Sequence, residues 1–127
     1  MPWWKEEPWR MIQTNLREID MQDLSAERFV ADLKDFHATV VLLNAAGISA
    51  GYDTKLLYHS KNPYLTGDSL ERIVDLCHEN GIRVIARADF SKVKRNVYEM
   101  HPEWAFRTEH GDVMEQNGFI QTCLCGD

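Results

Sequence analysis

Two stretches of the chain carry apolar residues at helical spacing, and a short apolar run follows each of them. The stretch 69–80 places one apolar stripe on a helix, formed by Leu70, Ile73, Val74 and Cys77. The stretch 25–36 does the same through Phe29, Val30, Leu33 and Phe36. The pattern therefore predicts two amphipathic helices, each leading into a buried strand.

Capping signals mark the ends of both helices. Asp68 with Glu71 three residues later fits a capping box, and Ser25 fits an N-cap for the first helix. His37 follows the first helix and is assigned a structural role at its C-terminus. Gly81 ends the second helix, because glycine takes a left-handed conformation at low cost.

Three strands are predicted, over residues 11–16, 39–44 and 82–88. The second is a continuous aliphatic run, as expected of a central parallel strand, whereas the first alternates with polar residues. The order β-α-β-α-β predicts an α/β fold with one domain over 1–127. This order fits the N-terminal portion of a TIM-like (β/α)8 barrel, and equally a small open sheet. The ending at Asp127 without a closing helix favours the barrel fragment.

The segments outside this unit are assigned more simply. Residues 92–100 are predicted to form a short helix, and Glu109–Asp112 the turn of a hairpin. The N-terminal tryptophans Trp3, Trp4 and Trp9 are interpreted as packing on or under the core, with sugar stacking as the alternative.

Polar residues stand at the carboxyl ends of the predicted strands, where parallel α/β folds bind ligands. Alternation along the third strand places Arg87 and Asp89 on one face with Ile85, and Ala86 and Ala88 on the other. By the same alternation Asn15 and Arg17 should lie on the ligand side, joined by Asn44 from the second strand. Roles for these three residues in a buried hydrogen-bond network are an equal alternative to sugar binding. A connection of roughly 20 residues follows the second strand, far above the usual length, and it should form a rim with later aromatics. The proposed rim residues are Tyr52, His59 and Trp104.

Composition excludes several function classes. The net charge of −6 argues against a nucleic-acid partner, and no apolar run approaches the ~20 residues that span a bilayer. The N-terminus lacks signal-peptide features, and the odd count of three cysteines fits a reducing, cytoplasmic compartment. The five histidines have no ligand-like spacing, and Cys123-x-Cys125 is a weak signal, so no metal is expected. No glycine-rich phosphate loop is present, and no cofactor is expected.

Three segments carry a family resemblance: QTNLREID at 13–20, YDTKLLYHSKNPYL at 52–65 and GIRVIARADFSKV at 81–93. Together with HPEW at 101–104, they resemble the N-terminal barrel half of the glycoside hydrolase family named hypothetical glycosyl hydrolase 6. The resemblance implies a (β/α)8 barrel that acts on O-glycosidic bonds and a carbohydrate substrate. It also implies a catalytic carboxylate pair on the fourth and later strands, so the catalytic residues are unknown here. The remainder of the barrel would then be the partner of these 127 residues, which alone should be inactive.

Two functional classes stay open. One is a glycoside hydrolase fragment that contributes sugar-binding residues; the other is a small non-catalytic α/β module that binds a carbohydrate or a partner. Asp89 could pair with Arg87 and shape its loop, contact a sugar hydroxyl, or act as a nucleophile or acid. Glu18 and Asp20 are interpreted as solvated or loop-capping carboxylates rather than catalytic ones.

Overall fold

The computed structural model describes residues 1–6 and 8–125. Its main sheet has three strands, β1 (Met11–Gln13), β2 (Val40–Ala46) and β3 (Arg83–Ala88), in the spatial order β1-β2-β3. Both strand pairs are parallel. Helix α1 (Ala26–Asp35) connects β1 to β2, and α2 (Ser69–Glu79) connects β2 to β3. The prediction of a mixed α/β chain with a parallel sheet is confirmed.

One apolar layer holds the helices on the sheet. Val41 and Leu43 of β2 are fully or almost fully buried, and they belong to the same cluster as Leu33 of α1 and Ile73 and Cys77 of α2. Residues one step away along β2 lie on the opposite face of the sheet. One face of the sheet is therefore the core face, and the other is free to carry polar groups toward the strand ends.

The structure agrees with two of the three predicted helix-end signals and contradicts the third. Ser25 caps α1, accepting a 3.3 Å hydrogen bond from the amide of Arg28. Asp68 makes no side-chain cap to α2, so the predicted capping box with Glu71 is wrong. Gly81 does end α2: its φ is 71°, and the amide of Ile82 donates to the carbonyl of Cys77 at 2.8 Å.

Strand β1 is shorter than predicted. It ends at Gln13, and both the amide and the hydroxyl of Thr14 donate to the carbonyl of Leu42 at 3.1 Å. A 3-10 helix, Glu18–Gln22, follows soon after. The alternation of side chains therefore stops before the residues that were expected to extend the strand.

The C-terminal region forms a second, antiparallel sheet in the order β4-β6-β5, from β4 (Lys92–Val93), β5 (Glu115–Gln116) and β6 (Phe119–Gln121). The helix predicted over 92–100 is thus partly wrong: β4 comes first, and α3 (Arg95–Met100) is shorter. Glu109–Asp112 does form a turn, closed by the bridge between Arg107 and Val113. The tighter hairpin turn is Asn117-Gly118, with both φ angles positive as a two-residue hairpin requires. The final residues Gly126 and Asp127, from which the fragment interpretation partly came, lie outside the described residues.

The N-terminal tryptophans pack at the amino end of the sheet. The ring of Trp3 stacks on Trp9 at 5.3 Å between centroids, and the guanidinium of Arg83, the first residue of β3, lies 4.5 Å from the centre of the Trp3 ring. This cluster therefore covers the end of the strands opposite to the one where ligands are expected.

No helix within 1–6 and 8–125 is both long and apolar enough to cross a membrane. The cytoplasmic location stays a prediction.

Candidate functional site at the strand ends

A pocket of about 290 Å³ opens at the carboxyl ends of the three parallel strands. Each strand supplies part of its wall through the residues that follow it, and the long loop after β2 supplies the rest. The polar side chains among its lining residues are Arg17, Glu18, Asn44, Ser49, Asn62, Asp89, Ser91 and Lys92. The pocket thus lies where a parallel α/β sheet binds its ligands.

Asn44 stands at the centre of this wall, on the middle strand. It pairs in register with Arg87, and the register shifts between Asn44 and Ala46, as in a β-bulge. Bulges at strand ends re-aim side chains and are common next to active sites. Among the described residues the Oδ1 atom of Asn44 is buried without a hydrogen-bond partner. Such an atom is rare in folded proteins and points to a ligand or water that completes it.

Asp89 follows β3 and is held by one cation and one backbone amide. Arg87 Nη2 lies 3.4 Å from its Oδ2, and the amide of Ser91 donates to its Oδ1 at 3.1 Å. Hydrogen bonds from the side chain and then the amide of Ser91 lower the pKa of Asp89, helped by the charges of Arg87 and Lys92 and opposed by partial burial. Asp89 is therefore ionised at neutral pH, which suits a hydroxyl acceptor and does not suit a proton donor.

Arg87 connects the ends of the outer strands. Its Nη1 donates to Asn15 Oδ1 at 3.4 Å, while its Nη2 faces Asp89. The structure thus places Asn15, Arg87 and Asp89 in one hydrogen-bonded row, with Asn44 beside Arg87 in the sheet. The predicted ion pair of Asp89 with Arg87 and its loop-shaping bond both exist.

Arg17 lines the pocket, but its guanidinium binds the carboxylate of Asp20. Its guanidinium binds Asp20 at two atoms, with distances of 2.8 and 3.2 Å, and its amide donates to the same carboxylate at 2.8 Å. The side-chain hydrogen bond to Arg17 is the largest cause of the lowered pKa of Asp20. Asp20 is accordingly the loop-capping carboxylate that the sequence suggested.

Glu18 is the residue whose position differs most from its sequence interpretation. Its Oε1 accepts a 2.5 Å hydrogen bond from Ser49 Oγ and lies 3.7 Å from Lys94 Nζ. Its carbonyl accepts a 2.9 Å bond from Asn62 Nδ2, and Asn62 is buried. Alternation from Asn15 would point residue 18 away from the ligand face, but β1 has ended by then. The sequence signal that could have found Glu18 is its place in the run of polar residues that follows the first strand.

The three proposed rim residues do not line the pocket. Tyr52 packs against the hydrophobic core, because the amide of Gly51 donates to the carbonyl of Ala45 and turns the loop back. His59 is buried, and its Nε2 lies 3.1 Å from the carbonyl oxygen of Gly47. Trp104 stacks on His101 at 3.8 Å and meets the ring of Tyr58 edge-on, forming an aromatic cluster outside the pocket.

Gly47 fixes the contact between the loops after β2 and β3. A Cβ atom there would lie 2.5 Å from the backbone oxygen of Asp89, and the φ angle of Gly47 is 155°. His59 holds the carbonyl of the same residue from the other side. The position of Asp89 in the pocket therefore depends on a glycine at 47.

No group of three or more His, Cys, Asp or Glu side chains in the described part of the chain could hold a metal ion. The three cysteines are free, and burial raises the pKa of the Cys77 thiol.

The fold and the pocket define an α/β protein of parallel β/α units with a polar site at the strand carboxyl ends. The chain belongs to the hypothetical glycosyl hydrolase 6 family, whose sequence model matches residues 25–125. No curated protein matches it significantly.

Two solved structures share the fold. The α-L-fucosidase isoenzyme 2 from Paenibacillus thiaminolyticus superposes with a TM-score of 0.62 and 17% identity, over 93% of this chain and 19% of that one. An α-amylase from Lactobacillus plantarum gives a TM-score of 0.56 and 15% identity, over 89% of this chain and 30% of that one. The chain thus spans less than a third of either relative.

Proposed function

We propose that this chain forms the first three β/α units of a (β/α)8 barrel glycoside hydrolase. We further propose that the pocket at the carboxyl ends of its parallel strands binds the sugar. The observation that carries this proposal is the buried, unpartnered Oδ1 of Asn44 in a pocket that also holds the ionised Asp89. Acceptors of this kind suit the hydroxyl groups of a sugar.

Three further observations support the barrel. In the described residues β1 and β3 each pair on one side only, so each offers an edge to a further strand. The face opposite the core includes Met11 and Arg83, which are exposed, as expected of an inner face without its other strands. Family membership and the partial overlap with two longer glycosidases agree with this interpretation.

Within this proposal the described residues bind and orient substrate. Asn44 and Asp89 line the pocket and contact the sugar, whereas Asn15 and Arg87, which do not line it, hold Asp89 in place through one row of hydrogen bonds. Because Asp89 is ionised, it does not supply the proton donor that glycoside hydrolysis requires. Trp104 with Tyr58 would contact only a longer substrate that extends beyond the pocket.

The test replaces Asp89 with Asn in the protein expressed from its complete open reading frame. A panel of aryl glycosides should contain at least one substrate, and D89N should lower its kcat/KM about tenfold, as expected for one hydrogen bond to a charged group. Asp75→Asn is the matched control, since Asp75 is an exposed carboxylate on α2. An unchanged kcat/KM with an intact fold would contradict a substrate contact by Asp89, and no turnover of any glycoside would contradict the proposed function.

A further inference from the structure

Three consecutive strand ends converge on one carboxylate that the sequence assigned to solvent or to a loop cap. Glu18 follows β1, Ser49 follows β2, and Lys94 follows β3 and β4; the last two both contact the Oε1 atom of Glu18. Lys94 Nζ also donates to Ser60 Oγ at 3.3 Å, so the ammonium group is itself held in place. The carboxylate of Glu18 is therefore held in one position although its side chain is partly exposed.

The main chain of Glu18 is fixed as well. Asn62 is only 5% exposed and donates to the carbonyl of Glu18, while its own Oδ1 accepts the amide of Tyr64. Both the backbone and one carboxylate oxygen of Glu18 are therefore immobilised by the loop after β2. This kind of support gives a binding group the fixed geometry that recognition requires.

Only one of the two carboxylate oxygens is used by these contacts. Among the described residues, the one hydrogen bond and the one ion pair of the Glu18 side chain both go to Oε1, which leaves the acceptor capacity of Oε2 for a ligand. Glu18 lines the same pocket as Asn44 and Asp89. The pocket thus presents three acceptor groups, from the ends of three different strands.

We propose that Glu18 binds a sugar hydroxyl through Oε2 and determines which hydroxyl pattern the pocket accepts; this inference rests on the proposed function. The three acceptors require a ligand rich in hydroxyl donors.

Discrimination follows from the cost of an unpaired acceptor. A site built to accept a hydroxyl rejects an analogue that lacks it, because the bound ligand displaces water and the acceptor then has no partner. Loss of Glu18 should therefore lower kcat/KM for a substrate that carries the hydroxyl bound by Glu18, and it should change kcat/KM little for the analogue without that hydroxyl.

The experiment uses the protein expressed from its complete open reading frame. It measures kcat/KM for the best neutral aryl glycoside and for each of its monodeoxy analogues. We expect Glu18→Gln to lower kcat/KM for the parent about tenfold or more, and for one deoxy analogue hardly at all. Asp89→Asn should leave kcat/KM nearly unchanged for a different deoxy analogue.

Two kinds of variant separate binding from structure. Ser49→Ala and Lys94→Met each remove one contact to Oε1 of Glu18. Both variants should lower kcat/KM less than E18Q does, and they should spare the same deoxy analogue that E18Q spares. Glu27→Gln makes the same chemical change at an exposed carboxylate paired with Arg72 on the helices, and it should leave all substrates unchanged.

Each other outcome overturns a defined statement. An equal loss for the parent and all deoxy analogues in E18Q would assign Glu18 a structural role and overturn this inference. Unchanged kinetics in E18Q together with a loss in D89N would overturn this inference and leave the proposed function standing. Absence of turnover for every glycoside would overturn the proposed function and this inference with it.

Discussion

Replacing Gly47 with alanine is expected to destabilise the protein and to displace Asp89 from the pocket. The added Cβ would lie 2.5 Å from the backbone oxygen of Asp89 and 3.3 Å from its carbonyl carbon, and backbone atoms cannot move aside as a flexible side chain can. With the strain of the unusual φ angle, we expect a loss of roughly 2–4 kcal/mol in the free energy of unfolding. Urea denaturation measures this loss, and kcat/KM for a glycoside substrate should fall with it.

Gly67→Ala is the matched control for this substitution. Gly67 also has a positive φ, 65°, but no atom lies within 4 Å of the position of its Cβ. The control therefore carries the backbone strain without the clash, and it should cost about 1 kcal/mol. Equal stability of the two variants would mean that the close approach of the two loops does not exist as described.

Leu43→Ala is expected to have a comparable effect on stability through a different cause. Leu43 is 1% exposed and lies in the cluster that joins β2 to both helices, so truncation leaves a cavity in the core. Buried leucine truncations of this kind cost about 2–5 kcal/mol. Leu57→Ala, at a side chain that is 95% exposed, should change the free energy of unfolding by less than about 0.5 kcal/mol. If both variants lost the same stability, the assignment of the core face would be wrong.

The parts of the fold that local chemistry determines could be predicted from the sequence. The apolar stripes placed α1 and α2, and Gly81 marked the end of α2, because side-chain spacing and backbone freedom act within one element. The face of Arg87 and Asp89 followed from simple alternation, and these two side chains do meet.

The errors occur where a distant contact overrides the local pattern. Strand β1 ends at Gln13, which breaks the alternation and brings Glu18 into the pocket. Lys92 and Val93 extend to pair with β6, a partner nearly 30 residues later, instead of entering a helix. Tyr52 joins the core because the loop turns back at Gly51, a contact that its aromatic and polar composition does not reveal.

The most direct test of a sugar site in the pocket is an NMR titration that follows backbone amide shifts. The isotope-labelled protein from the complete open reading frame is titrated with its best neutral glycoside. The predicted result is that shifts concentrate at residues 16–18, 44–49, 62 and 89–92, which surround the pocket. The tryptophan cluster at the opposite end of the sheet, with Trp3, Trp9 and Arg83, should not respond. Shifts confined to that cluster, with none at the strand carboxyl ends, would contradict a sugar site in the pocket and favour stacking on the N-terminal tryptophans.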